Sequence, residues 1–311
     1  MIRFLPLLCL ATLAACAGEG RLRVESWAIQ LQGLERPGAV DRLSRTEADL
    51  LVIDATRTVR GREAFPTSAV VAQLRAGGRR VLAYVNVGQA EDYRTYWREG
   101  WTGPGNPDFV LAADPDGWPG NWPAAYWDSR WRRVLFGRPG ALVDAALEDG
   151  FDGVMLDWVS GFEDRTVAAV ARAAGVDPAR AMAELVRDLS AYGRARNPGF
   201  VVLLTNGSSL LAFAPTLAGS VDGIVRESVT FAGAPSERWD DPANADRPVS
   251  VGATPRDLLA ALLERGFLVL SLDYASKPAN VAAAEQAARD LGFVPFVSRS
   301  SLDRIPPRVL R

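Results

Sequence analysis

The chain has 311 residues and is nearly charge-balanced, with 35 Lys and Arg against 37 Asp and Glu for a net charge of −2. It holds no basic block for nucleic acid, and Lys277 is its one lysine. Histidine is absent, which removes Ser-His and Cys-His nucleophile pairs, HExxH zinc sites and imidazole proton shuttles and leaves acid and base work to carboxylates and tyrosine.

Residues 1–16 read as a secretory signal, with Arg3 as the positive start, an apolar stretch over 4–13 and Leu13-Ala-Ala-Cys16 as a small-residue cleavage site. That last tetrapeptide looks like a bacterial lipobox, which makes Cys16 the lipidated first residue of an exported protein anchored in the cell envelope. Ala17 behind it, in place of the Asp that retains lipoproteins in the inner membrane, favours the outer membrane. Cys9 leaves with the signal, so no thiol remains for a disulfide, a metal or a nucleophile. Residues 17–311 are expected to form a single domain, of a length ordinary for an α/β barrel.

Eight short apolar runs follow one another at residues 27–31, 50–54, 80–87, 153–157, 200–205, 223–227, 267–273 and 293–297. They are continuous rather than alternating, as in strands covered on both faces. Amphipathic helical segments lie between them at 69–77, 141–148, 167–174, 181–192, 255–264 and 280–291. Strand and helix in alternation predict an α/β fold, a parallel (β/α)8 TIM barrel. An open doubly wound sheet is the alternative, but no GxGxxG or GxxxxGK[ST] accompanies the strands.

Four of these runs end on an acid: Asp54, Asp157, Glu227 and Asp273. A helix cap explains one such residue well and four poorly. At the C-terminal rim of a barrel they converge on one mouth, with Tyr84, Asn206 and Tyr274 beside them. Two carboxylates facing across a mouth are the working parts of glycoside hydrolysis, one protonating the leaving oxygen while the other attacks the sugar or activates water, and neither cofactor nor metal is needed. The segment after the third strand is aromatic: Trp97, Trp101, Trp118, Trp122, Trp127 and Trp131 fall there with Tyr93, Tyr96 and Tyr126. Most of these rings are expected to hold the loop down as a satellite core, with two or three lining the cleft, where aromatic faces stack on sugar rings.

Trp27-Ala-Ile-Gln-Leu-Gln32, Val52-Ile-Asp54, residues 83–97 from Ala-Tyr-Val-Asn-Val to Tyr-Trp, Asp152-Gly-Val-Met-Leu-Asp157, Thr205-Asn-Gly207, Asp222-Gly-Ile-Val-Arg-Glu-Ser228 and Leu272-Asp-Tyr274 together resemble glycoside hydrolase family 114. The resemblance runs in consistent order from Trp27 to the last strand. It implies an endo-α-1,4-polygalactosaminidase on a TIM barrel, cutting a cationic galactosamine-rich exopolysaccharide. Carried over by position, Asp157 is the nucleophile and Glu227 the acid/base, while Asp54, Tyr84 and Asp273 contact the substrate. Ser160 stands where the family often has a second Asp, and Gln89 where it often has Glu; both bear on substrate rather than on reaction type. Two other classes stay in view: a lipid-anchored barrel that binds polysaccharide without cutting it, and an Mg²⁺ enzyme using Asp54, Asp157, Glu227 and Asp273 as oxygen ligands.

Overall fold

The computed structural model describes residues 22–236, 238 and 240–309. The expected signal peptide and Cys16 lie outside the described residues. Eight parallel strands form one sheet in sequence order. They are β1 (Trp27–Gln30), β2 (Leu50–Asp54), β3 (Arg80–Asn86), β4 (Gly153–Asp157), β5 (Val201–Thr205), β6 (Gly223–Glu227), β7 (Leu268–Tyr274) and β8 (Val294–Ser298). The sheet curls into a nearly closed (β/α)8 barrel. At the seam between β8 and β1 the indole of Trp27 donates Nε1–H to the Val294 carbonyl at 3.1 Å, and its ring tilts against Phe296 at 5.6 Å between centroids.

Around the barrel run helices α1 (Ala39–Ser44), α2 (Thr67–Arg75), α3 (Ser129–Leu135), α4 (Leu142–Glu148), α5 (Arg165–Ala173), α6 (Pro178–Arg196), α7 (Ser208–Phe213), α8 (Ala253–Glu264) and α9 (Pro278–Asp290). The six segments expected from periodicity are α2, α4, α5, α6, α8 and α9. Helices α1, α3 and α7 were not expected; six or seven residues give a helical period little room, although α4, also of seven, was read from it. Helix α6 begins three residues earlier than its periodicity suggests: Asp177 caps it by accepting from the Arg180 amide at 3.0 Å, and Pro178 occupies the first helical position, where a missing N–H is harmless.

At the N-terminal end of the strands an aspartate before each of β2, β4 and β6 ties down the neighbouring chain. Asp49 Oδ2 accepts the Glu25 and Ser26 amides, each at 2.9 Å. Asp152 Oδ2 accepts Val81 N–H at 2.9 Å, and Asp222 Oδ2 accepts Val202 N–H at 2.8 Å. Arg75 and Arg194 pair with Asp152 and Asp222 at 2.9 and 3.0 Å. These acids stand at the end of the barrel remote from the acidic rim and are stabilising in role. The glycines that follow two of them let adjacent strands approach. A Cβ on Gly153 would lie 2.1 Å from the Val201 carbonyl oxygen, and one on Gly223 would lie 2.9 Å from that of Leu268.

The Gly153 contact is with backbone, which cannot swing aside. Gly153→Ala is therefore expected to destabilise the protein by about 1–3 kcal/mol, the usual range for overpacking, measured as a lower urea midpoint with an unchanged m-value.

Candidate active site

A cavity of about 580 Å³ opens at the C-terminal ends of the strands. Side chains alternate across a strand, so only every second residue faces it. Met155 and Asp157 of β4, Val225 and Glu227 of β6, and Leu272 and Tyr274 of β7 all line the cavity, the apolar member of each pair forming its floor. Ile29, Asp54, Tyr84, Thr205 and Asn206 line it as well.

Asp273 is the exception among the expected site residues. It falls between Leu272 and Tyr274 and faces the other side of the sheet, 1 % exposed. Its Oδ1 accepts the amides of Thr230 and Phe231 at 2.7 and 2.8 Å, fastening the loop that leaves β6. It does not line the cavity, and the expected substrate contact is corrected to a structural role. Strand β7 continues one residue past Asp273, so the inward residue at its end is Tyr274.

The chain leaves β4, β5 and β6 in the same unusual way. Trp158, Asn206 and Ser228, each the residue after the strand, have φ of 58°, 55° and 54°. This left-handed backbone costs non-glycine residues about 1–2 kcal/mol, and Asn bears it best. The sharp turns leave Asp157, Thr205 and Glu227 as the last strand residues at the rim. Around Trp158 the turn needs two more glycines: a Cβ on Gly88 would lie 2.4 Å from its carbonyl oxygen, and one on Gly161 would lie 2.3 Å from its ring. The indole between them borders the cavity beside Asp157.

Each of the two facing carboxylates has its own donors. Tyr84 donates its hydroxyl proton to Asp157 Oδ2 at 2.7 Å. Glu227 Oε2 accepts from Asn206 Nδ2 at 2.8 Å, and Oε1 accepts from the Tyr274 hydroxyl. The Asn206 carbonyl oxygen in turn accepts the Glu227 amide at 3.1 Å, which fixes which way the side-chain amide points. Burial first, and the negative charge of Glu227 second, push the Asp157 carboxyl up to about 7, against the lowering pull of the Tyr84 hydrogen bond. Burial and the adjacent carboxylates hold both tyrosines well above their usual range, so they remain proton donors. Asp157 is thereby poised to exchange a proton near neutral pH, as acid and base work in such a mouth requires.

Asp54 is engaged differently from expectation. It borders the cavity, but its Oδ1 lies 2.7 Å from Arg94 Nη2, and Arg94 is held on its other side by Glu91 at 2.7 Å. Thr58 and Tyr93 complete this buried cluster, Thr58 accepting from Arg94 at 3.0 Å and Tyr93 donating to Glu91 at 2.5 Å. Burial pushes the Asp54 carboxyl up while Arg94 draws it down, with the net shift upward. Burial works against the Arg94 charge, but Asp54 and Glu91 outweigh it and hold the guanidinium protonated. Sequence reasoning missed Arg94 and Glu91, which sit in the third βα loop with no periodic signal.

Of the aromatic residues in that loop, Tyr93 and Trp118 border the cavity. Trp97, Trp101, Trp122 and Trp131 pack on one another and on Tyr96 and Phe109 as a satellite core. Gln89 joins the loop to the barrel: its amide donates to Asp114 Oδ1 at 2.5 Å, and its carbonyl accepts from Asn86 at 2.9 Å. Asp114 and Asp116 line the mouth there, where burial and then the charge of Asp114 raise the Asp116 carboxyl. Ser160 also borders the cavity.

The model of glycoside-hydrolase family GH114 matches residues 11–309. An uncharacterized protein of Deinococcus radiodurans is 32 % identical over 285 residues, covering 91 % of this chain and 82 % of its own. Another, from Thermotoga maritima, is 28 % identical over 290 residues, with coverage of 90 % and 82 %. Among solved structures, Aspergillus fumigatus Ega3 in complex with galactosamine superimposes with a TM-score of 0.64 at 18 % identity, over 92 % of this chain and 96 % of that one. The glycoside hydrolase domain of PelA from Pseudomonas aeruginosa does so with a TM-score of 0.62 at 23 % identity, over 91 % and 98 %. These likenesses establish the barrel.

The raised Asp157 carboxyl sets a sign for stability against pH. Its folded value of about 7 lies above the unfolded value, so the folded state binds more protons between about pH 4 and 7, and the group's stabilising contribution is lost as pH rises through that window. Asp157→Asn removes the titration. In thermal melts its gain over the parent is expected to be small at pH 4 and to grow up to pH 8; a gain independent of pH would contradict the assignment.

Proposed function

The chain belongs to glycoside-hydrolase family GH114, and from that membership and the geometry of its mouth we propose an endo-acting glycosidase that cleaves α-1,4-linked galactosamine-containing exopolysaccharide. The observation that carries the reading is the pair Asp157 and Glu227, each held by its own hydrogen-bond donors, at the rim of a cavity wide enough for a sugar. Glu227 serves as acid/base, giving its proton to the glycosidic oxygen as the bond to the anomeric carbon breaks. Asp157 attacks that carbon, and water later displaces it. Tyr84, Tyr274 and Asn206 hold the two carboxylates in place and move with neither.

The charges of the mouth favour a cationic sugar. Its three arginines are already committed: Arg36 to Asp303 at 2.5 Å, Arg62 to Glu35 at 3.0 Å, and Arg94 to Asp54 and Glu91. Asp114, Asp116, Asp157 and Glu227 are left to face the substrate, and charge-assisted hydrogen bonds to ammonium groups suit them. An ammonium group near Asp157 also lowers its carboxyl, which leaves the nucleophile ionised. The galactosamine bound to Ega3 fits the same substrate class. A four-acid Mg²⁺ site is disfavoured on geometry: Asp273 faces away, Asp54 is ion-paired, and among the described residues no three acids are grouped to hold a metal. We extend the proposal to location, with the enzyme held in the cell envelope by lipid on Cys16.

The test is product release from a de-N-acetylated α-1,4-galactosamine polymer by the soluble chain lacking residues 1–16. Asp157→Asn and Glu227→Gln are each expected to lose about 10²–10⁴-fold in kcat, with chelator having no effect. On a substrate with a good leaving group Glu227→Gln should regain its first step and Asp157→Asn should not; the opposite pattern exchanges the roles. Polymer that is bound and never shortened would move the chain to a binding module. For the anchor, the full-length protein is expected in the membrane fraction and Cys16→Ala in the soluble one; equal partition of the two overturns it.

A further inference from the structure

A second cavity, of about 460 Å³, lies beyond the aromatic satellite core and shares no lining residue with the mouth. Trp101, Pro107, Phe109 and Val134 form its apolar part, and Arg98, Arg130, Arg133 and Arg138 surround them. Four guanidinium groups around one concavity are unusual in a chain whose net charge is −2.

Their partners separate them. Arg130 is neutralised by Asp108 at 2.8 Å and Asp128 at 2.6 Å and lies over the Phe109 ring at 5.6 Å, so it is a wall. Arg98 lies over Trp101 at 5.7 Å, and no carboxylate among the described residues pairs with it. Arg138 donates Nε–H to the Arg133 carbonyl at 2.8 Å, which holds its guanidinium beside the cavity and leaves the remaining N–H groups free to donate. Arg133 has no carboxylate partner among the described residues either. Three planar donors that form no ion pair among the described residues thus bound one pocket, with Asp128 only near enough to feel the charge of Arg133. Guanidinium is the group whose fork matches carboxylate and phosphate oxygens.

We infer that this pocket is a binding site for an oxyanion, phosphate or carboxylate, carried on a ligand whose apolar part rests on Trp101 and Phe109. It is separate from hydrolysis and does not rest on the proposed substrate. An anionic lipid headgroup and a free anionic solute offer the same chemistry, and the experiment distinguishes them.

Inorganic pyrophosphate and citrate are titrated into the soluble chain by calorimetry, and the same protein is sedimented with phosphatidylglycerol vesicles and with phosphatidylcholine vesicles. Arg133→Glu and Arg138→Glu, both exposed and outside the mouth, are compared with Arg172→Glu on α5 as a charge-matched control. Pyrophosphate or citrate is expected to bind, more weakly as salt rises, with either pocket variant weakening it by about tenfold or more and the control leaving it unchanged. Binding to phosphatidylglycerol vesicles alone, lost in the same two variants, assigns the oxyanion to a headgroup. Unaltered melting temperature in all three variants excludes misfolding as the cause. No binding to any probe, or binding that the pocket variants leave intact, overturns the proposal.

Discussion

The mutual repulsion of Asp157 and Glu227, held together in a desolvated mouth, is the constraint around which the rest of the site is built. Burial and the Glu227 charge raise the Asp157 carboxyl, and the side chains bonded directly to the two acids are neutral donors. Tyr84 serves one carboxylate, while Asn206 and Tyr274 serve the other. All three donors are neutral, so the pair keeps its negative charge and its readiness to exchange a proton. A guanidinium in their place would ionise both acids and end that exchange. Arg94, among the arginines that line the mouth, is instead enclosed by Asp54, Glu91 and Thr58.

The barrel makes this arrangement possible through strand parity and the turns that follow. Inward positions at two-residue spacing give each strand one apolar floor residue and one rim residue, as in Met155 and Asp157 or Val225 and Glu227. The left-handed turns at Trp158, Asn206 and Ser228 keep the rim residue from being carried away by the loop. Strain of about 1–2 kcal/mol at each is tolerated because the opposite end of the barrel is locked. There Asp49, Asp152 and Asp222 each take a backbone amide of the neighbouring chain. Acids thus occur at both ends of the strands, clamping the neighbouring chain at one end and lining the mouth at the other.

Most of the fold was legible because parallel strands buried on both faces write themselves as continuous apolar runs, and all eight barrel strands coincide with such runs. The place of Asp157 and Glu227 at the mouth was legible for the same reason, as charges ending an apolar run. Asp273 looked identical in sequence and was misjudged, since the direction of a strand-end side chain depends on where the strand stops, and β7 stops one residue later than its apolar pattern suggests. The cluster was invisible because the pairing of Arg94 with Asp54 is a tertiary contact across 40 residues of chain, with only the i,i+3 pairing of Arg94 and Glu91 written locally. The aspartates of the two Asp-Gly pairs were read as part of a motif but not as clamps. Their partners, Val81 and Val202, lie on other strands.

The third βα loop explains how a protein can carry acid chemistry on one side of a segment and a basic pocket on the other. Without long helices or strands, the loop holds its shape through a chain of rings. Trp122 stacks on Trp97 at 6.4 Å, Trp97 meets Trp101 edge-on at 5.4 Å, Trp101 meets Phe109 at 5.4 Å, and Phe109 leans on Trp131 at 6.0 Å. Each contact contributes roughly 0.5–1.5 kcal/mol beyond its burial, so the series is worth as much as a short regular element. It is also a layer of low dielectric. Asp114, Asp116 and Trp118 face the mouth from one side of it, and Arg98, Arg133 and Arg138 face solvent from the other. The apolar wall keeps the two sets of charges from pairing directly, so an acidic mouth and a basic pocket stand on either side of it.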